Sequence, residues 1–117
     1  MLRNLLKSKI HGAKVTGCKL DYVGSITVDR TLVKAAGLRV YEKVLVSDIT
    51  NGARFETYVL LGGPGAIEVN GAAAKLVKKG DMVIIMAFGL FDEKEAGRHK
   101  PKIVVVDGEN RITSRLP

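Results

Sequence analysis

The stretch LDYVGSITVD, residues 20–29, sets the terms on which this chain is read. Leu20, Tyr22, Ile26 and Val28 are strand formers with polar residues between several of them, which predicts a β-strand. In its middle stand Gly24 and Ser25, and a glycine inside a strand usually marks a bulge or tight turn. Outward from it, apolar or alternating runs recur at roughly 2–7, 10–16, 40–49, 54–61, 66–69, 81–90 and 102–107, separated by turn residues. MVIIMAF (82–88) is nearly continuous and predicts a strand buried on both faces. Short helices fit between the strands. DRTLVKAAG (29–37) offers Asp29 as N-cap and Gly37 at its end. NGAAAKLVKKGD (70–81) offers Asn70 as N-cap, Lys78 and Lys79 in its last turn, and Gly80 as its stop. DEKEAGR (92–98) predicts a further helical turn, and the last five residues are expected to fray. About eight short strands with little helix predict a mainly β chain: a compact β-barrel with short helical connections.

At 117 residues the chain reads as a single domain, 1–117, able to bury roughly two thirds of its unfolded surface. An apolar content of 46% excludes wholesale disorder, and no apolar run approaches the ~20 residues of a membrane-spanning helix. MLRNLLKSKIHGAK, residues 1–14, is basic throughout without a long apolar core, unlike a secretory signal. The single cysteine, Cys18, excludes an internal disulfide framework, and two histidines are too few for most zinc sites, so no metal is expected. A cytoplasmic protein is the simplest expectation. The formal charge of +7 admits either nucleic acid or a small anionic substrate as partner. Aromatic residues at 5% with no Trp leave few platforms for stacking bases.

Common catalytic signatures are absent. GGPGAIEVNG (62–71) lacks the Lys-Ser/Thr ending of a P-loop, no GxGxxG appears, and Ser25 has no GxSxG around it. Three constellations remain. In NGARFETY (51–58), Asn51-Gly52 signals a hairpin whose second strand projects Arg54, Glu56 and Tyr58 to one face and Phe55 and Thr57 to the other. An Arg clamp and a phenol on one face can hold a carboxylate and pass a proton, although an ordinary hairpin carries such residues too. Lys9 and His11 share one face of another strand, and NGAAA (70–74) offers backbone N–H groups at a helix start.

KIHGAKVT, LDYVGS, TNGARFETY, VNGAAAKLV and GDMVII, in this order and at these intervals, resemble the pyruvoyl-dependent aspartate 1-decarboxylase family from Met1 to about Ile112. The resemblance implies a six-stranded double-psi β-barrel and a homotetramer with active sites between neighbouring subunits. It implies decarboxylation of L-aspartate to β-alanine and CO2 for pantothenate and coenzyme A synthesis. It also implies that the chain cuts itself between Gly24 and Ser25 into residues 1–24 and 25–117, turning Ser25 into a pyruvoyl group. On that pattern Ser25 and Gly24 carry the cleavage, with Thr57, Asn70 and Tyr22 in support. Tyr58 is the proton donor. Arg54, Thr57, Lys9, His11 and the Gly71-Ala72-Ala73 backbone bind substrate. Some relatives need a maturation partner; neither nucleic acid nor membrane is implied as one. Departures stand at Ser47, where many relatives carry an aromatic residue, at Gly12 in place of a common Arg, and at Cys18 in place of a small residue such as Ala. The turn at 61–69 is shorter and less charged than usual. A basic nucleic-acid-binding barrel and a non-catalytic family member are the competing readings.

Overall fold

The computed structural model describes residues 1–117. Nine strands follow in chain order: β1 (Arg3–Lys14), β2 (Gly17–Lys19), β3 (Ser25–Asp29), β4 (Lys43–Asp48), β5 (Arg54–Gly62), β6 (Ile67–Asn70), β7 (Met82–Phe91), β8 (Lys102–Val106) and β9 (Ile112–Leu116). Two helices, α1 (Arg30–Ala35) and α2 (Glu93–Ala96), and a 3-10 turn at Gly71–Lys75 connect them. The strands hydrogen-bond in the order β2-β6-β3-β5-β4-β7-β1-β8-β9. Ile26, Val28, Ile67 and Val69 from one end of that order share a core with Ile10, Ile85 and Val104 from the other, so the sheet curls around one interior in a barrel-like, mainly β fold. No helix is long and apolar enough to cross a membrane.

Several expectations are corrected. The runs at 2–7 and 10–16 form one strand, because Ser8 and Lys9 keep pairing with β7 and with β8. Two register shifts bend that strand, and the second falls at Gly12, whose φ of +85° favours glycine. The predicted strand 20–28 begins only at Ser25; Leu20–Gly24 is turn and bend, despite the strand propensity of Tyr22 and Val23. Topology overrides propensity there, since β2 and β3 flank β6 on opposite sides and the chain must cross over its end. The predicted helix 70–81 shrinks to the five-residue 3-10 turn, and Asn70 makes no side-chain cap bond, its amide being engaged elsewhere. MVIIMAF is buried on one face only: Val83, Ile85 and Ala87 line the core, while Met82 and Phe88 are exposed. The C-terminal residues expected to fray form β9, paired antiparallel with β8.

Other expectations hold. Asp29 caps α1 by accepting from the Thr31 amide at 2.7 Å, and its second oxygen accepts from the Gly65 amide at 2.8 Å. Asp92 and Glu95 form a capping box on α2. Asn110, buried and at φ +61°, was not anticipated. Its side chain accepts from the Lys14 amide and donates to the carbonyls of Lys14 and Gly65, knitting three chain segments together.

Candidate active site

The Leu20–Gly24 crossing creates the most constrained point of the chain. Lys19 on β2 and Ser25 on β3 both pair with Asn70, the last residue of β6, so the loop between them straddles the β6 end. Directly beneath it lies Gly71, at φ +76°. A Cβ there would stand 2.6 Å from Gly24 Cα, 2.9 Å from Gly24 N and 3.3 Å from the Tyr22 carbonyl oxygen. Glycine is therefore required at 71 both by backbone angle and by space. Gly24 has the opposite surroundings, with nothing within 4 Å of where its Cβ would be. Its N and Cα thus pack closely on the Gly71 backbone, with open space on the side its own side chain would occupy.

Ser25 is fully buried. Its hydroxyl accepts from Asn70 Nδ2 at 3.0 Å and donates to the Val23 carbonyl at 3.2 Å. The same amide reaches Thr27 Oγ1 at 3.2 Å. An N–H donor aimed at Oγ favours negative charge on that oxygen, as develops when it departs as part of the leaving carboxylate. Such a donor pre-set in a water-poor site needs little reorganisation when charge appears.

Strand register brings the phenol in. β3 and β5 run parallel with Ile26 opposite Val59, and continuing by one residue sets Tyr58 alongside Ser25. Tyr58 is half-buried. Thr57 lies on the other face of β5, paired with the core residue Val44. Tyr22 is exposed, with the Lys19 ammonium 5.5 Å from its ring centre.

The remaining candidates gather on the outer sheet face. His11 pairs with Ile84, Ile84 with Ser47, and Ser47 with Arg54, a single row across β1, β7, β4 and β5. The adjacent row, Ile10, Ile85, Val46 and Phe55, faces the core, so the His11–Arg54 row faces outward. Lys9 joins it through the row Lys9, Met86, Leu45 and Glu56. Arg54, Lys9 and His11 form no ion pair. At ~3.3 Å per residue, Arg54 lies about 13 Å along β5 from Tyr58. The structure therefore brings Ser25, Gly24, Asn70 and Gly71 together, with Tyr58 one register step beyond the end of the β3–β5 pairing, and sets Arg54, Lys9 and His11 on a row of their own. Ala72 is exposed and Ala73 packs against the core, both within the 3-10 turn.

A carboxyl pair fixes the hairpin that carries Arg54. Asp48, almost wholly buried, accepts from the Thr50 and Asn51 amides, and Asn51 Nδ2 reaches the Leu76 carbonyl at 2.8 Å. Burial raises the Asp48 carboxyl above its ordinary pKa, and a hydrogen bond with Asp81 adds to the rise. That bond lowers Asp81 below its ordinary value. The directions of the two shifts put the proton of the pair on Asp48 rather than on Asp81. The Asp-x-Thr-Asn-Gly run signals the turn in sequence, but nothing local signals Asp81 as its partner. Cys18 packs against the core with its thiol on the Val77 carbonyl, and burial, then the charge of Asp81, raises its pKa.

Comparison with known proteins follows the same outline. The aspartate decarboxylase family model matches residues 1–113. The chain is similar to the aspartate 1-decarboxylase of Corynebacterium efficiens, 58% identical over 97% of this chain and 85% of the relative. It is 57% identical to that of Caldicellulosiruptor bescii, over 96% of this chain and 89% of the relative. It is 52% identical to that of Lactiplantibacillus plantarum, over 99% of this chain and 91% of the relative.

Proposed function

The chain belongs to the aspartate decarboxylase family, and on that premise we propose that it cuts itself between Gly24 and Ser25 and then converts L-aspartate to β-alanine and CO2. The β-alanine would feed pantothenate and coenzyme A synthesis in the cytoplasm. The observation that carries this reading is the Ser25 hydroxyl, held by Asn70 at 3.0 Å next to a Gly24 whose backbone packs closely on Gly71.

The self-cleavage is chemistry of the chain's own residues. Ser25 Oγ attacks the Gly24 carbonyl carbon, the C–N bond breaks, and the hydroxyl proton ends on the freed nitrogen. The amide has become an ester. Loss of the Ser25 Cα proton expels Gly24 as a carboxylate from Cβ, releasing residues 1–24. The dehydroalanine left at position 25 takes up water, loses ammonia and becomes a pyruvoyl group. Asn70 supports the charge on Oγ, and Thr57, on the neighbouring strand, is the assisting residue that the family pattern implies. Tyr22 acts through its backbone, as part of the loop packed on Gly71.

The residues present fit that group. The cradle above Gly71 has no room for another Cβ, and the space flanking Gly24 is open. The group supplies a ketone that draws electrons away from the bond between the substrate carbon and its departing carboxylate. Tyr58 holds the proton that replaces the carboxylate on that carbon. Arg54 binds a substrate carboxylate, Lys9 and His11 add positive field, and the backbone of Gly71, Ala72 and Ala73 orients the ligand. Arg54 is about 13 Å from Tyr58 along the strand, a separation that an Arg54 from a neighbouring copy would close. This supports a homotetramer with sites between subunits. Phe88 and Leu90, exposed on the outer face of β7, supply apolar surface for such contacts. Nucleic-acid binding and a non-catalytic role are not favoured.

Denaturing mass spectrometry tests the reading: fragments 1–24 and 25–117 are expected, the larger blocked to Edman sequencing. Ser25→Ala leaves the chain whole and inactive, while Tyr58→Phe is cut but barely decarboxylates. A permanently intact chain with full activity overturns the assignment.

A further inference from the structure

Two buried side-chain atoms in the molecule have no hydrogen-bond partner, Asp48 Oδ2 and Ser47 Oγ. The first belongs to the carboxyl pair with Asp81. The second belongs to no such pair. A buried hydroxyl without a partner forfeits hydrogen bonds it would make in water, so its persistence calls for a ligand or another occupant.

The surroundings of Ser47 indicate which. It lies between Val46, which points into the core, and Asp48, and it belongs to the outward row with His11, Ile84 and Arg54. Ile84 pairs with it on one side and offers no polar atom in its side chain. Arg54 pairs with it on the other, exposed and in no ion pair. Along β4, its same-face neighbour is Leu45. The one polar side chain directly opposite Ser47 is thus a free guanidinium on a long, flexible stem. A hydroxyl next to an Arg recognises a group that accepts from both, and a carboxylate has two oxygens for that purpose.

We infer that Ser47 is a specificity-determining residue: its hydroxyl and the Arg54 guanidinium together hold one carboxylate of an amino diacid. This rests on the decarboxylase reading for the identity of the ligand, but the binding chemistry it assigns is separate. In this assignment the guanidinium grips the carboxylate and Ser47 Oγ donates a further hydrogen bond to it. The consequence is discrimination by charge: an amide in place of that carboxylate brings an NH2 that cannot accept from the pair.

The test uses two readouts on the full chain. Isothermal calorimetry with succinate, a dicarboxylate that has no amine to react, measures the carboxylate pocket without turnover. Steady-state decarboxylation of L-aspartate measures KM and kcat. For Ser47→Ala the succinate Kd and the aspartate KM should each rise about ten-fold, as for loss of one hydrogen bond to a charged group. The kcat and the yield of fragment 25–117 should stay near wild type. Ser47→Thr, which keeps the hydroxyl, should restore both constants to within about three-fold. Unchanged succinate binding in Ser47→Ala, or no succinate binding by the wild type, overturns the inference. Wild-type succinate binding that weakens in Ser47→Ala supports it even if aspartate is not decarboxylated, and in that case it is the activity reading that falls.

Discussion

Asn70 donates its side-chain amide to the Ser25 hydroxyl at 3.0 Å across the β3–β6 pair and makes no side-chain cap bond to the 3-10 turn that follows. Asn70→Ala should therefore slow self-cleavage more than it disturbs the fold. Loss of one donor to a developing charge is worth roughly 1.5–3 kcal/mol, or about ten- to a hundred-fold in rate. Asn70→Asp should be slower still, since a carboxylate cannot donate and opposes negative charge on Oγ. Timed mass spectra of freshly made protein give both rates, and a wild-type rate in Asn70→Ala would remove the amide from the cleavage step.

Gly71→Ala addresses the crossing itself. The added methyl would meet Gly24 Cα at 2.6 Å in a backbone conformation, φ +76°, that an L-residue resists. Backbone strain of about 1–2 kcal/mol combines with overpacking of about 1–3 kcal/mol. Neighbouring backbone cannot rotate aside as a side chain can, so the Leu20–Gly24 loop must lift. Expected outcomes are a lower denaturation midpoint together with loss of fragment 25–117. A stable, normally cut Gly71→Ala protein would mean that the close packing of loop and turn has no part in processing.

Asn110 shows what a single side chain does for closure. It bonds to both backbone groups of Lys14 and to the Gly65 carbonyl, tying the end of β1 to two turns. Asn110→Ala should cost about 2–4 kcal/mol, from unsatisfied buried partners and a non-glycine residue left at φ +61°. Asn110→Gly keeps the first penalty and relieves the second, so it should be about 1 kcal/mol more stable than the alanine variant. Urea denaturation of the two variants separates the terms. Equal midpoints would show that the backbone conformation carries no cost there.

The strands were legible wherever alternation had a buried side to report, as in Arg54–Gly62 and Lys102–Val106. It misled where a tertiary demand acted on a locally ordinary segment. Tyr22 and Val23 have strand propensity, but the chain must cross the β6 end there. Asn70 has the chemistry of a cap, yet Ser25 lies closer in need. The facing of Arg54, Glu56 and Tyr58 followed from period two alone, whereas the adjacency of Tyr58 and Ser25 depends on a parallel pairing across more than thirty intervening residues. The Asp48–Asp81 pair, likewise, joins residues thirty-three positions apart and leaves no local trace.

That carboxyl pair makes stability depend on pH in a direction that can be worked out. A carboxyl with a raised pKa in the folded chain binds its proton more tightly there, so its contribution is present at low pH and lost as pH rises through the folded value. Asp48 behaves this way. Asp81, lowered, contributes above the ordinary carboxylate range and loses that contribution as pH falls through its own lowered value. The pair is therefore strongest between the two, with exactly one proton on it, and above that window two buried negative charges face each other. Asp48→Asn replaces the titrating donor with a permanent one: its NH2 can donate to Asp81 while its oxygen still accepts from the Thr50 and Asn51 amides. The variant should match the wild type near about pH 4 and gain on it as pH rises until the wild type has lost its shared proton, after which the difference levels off. Urea midpoints across that range are the measurement. Parallel pH profiles for the two proteins would show that Asp48 holds no proton in the folded state, and the Arg54 hairpin would then need another anchor.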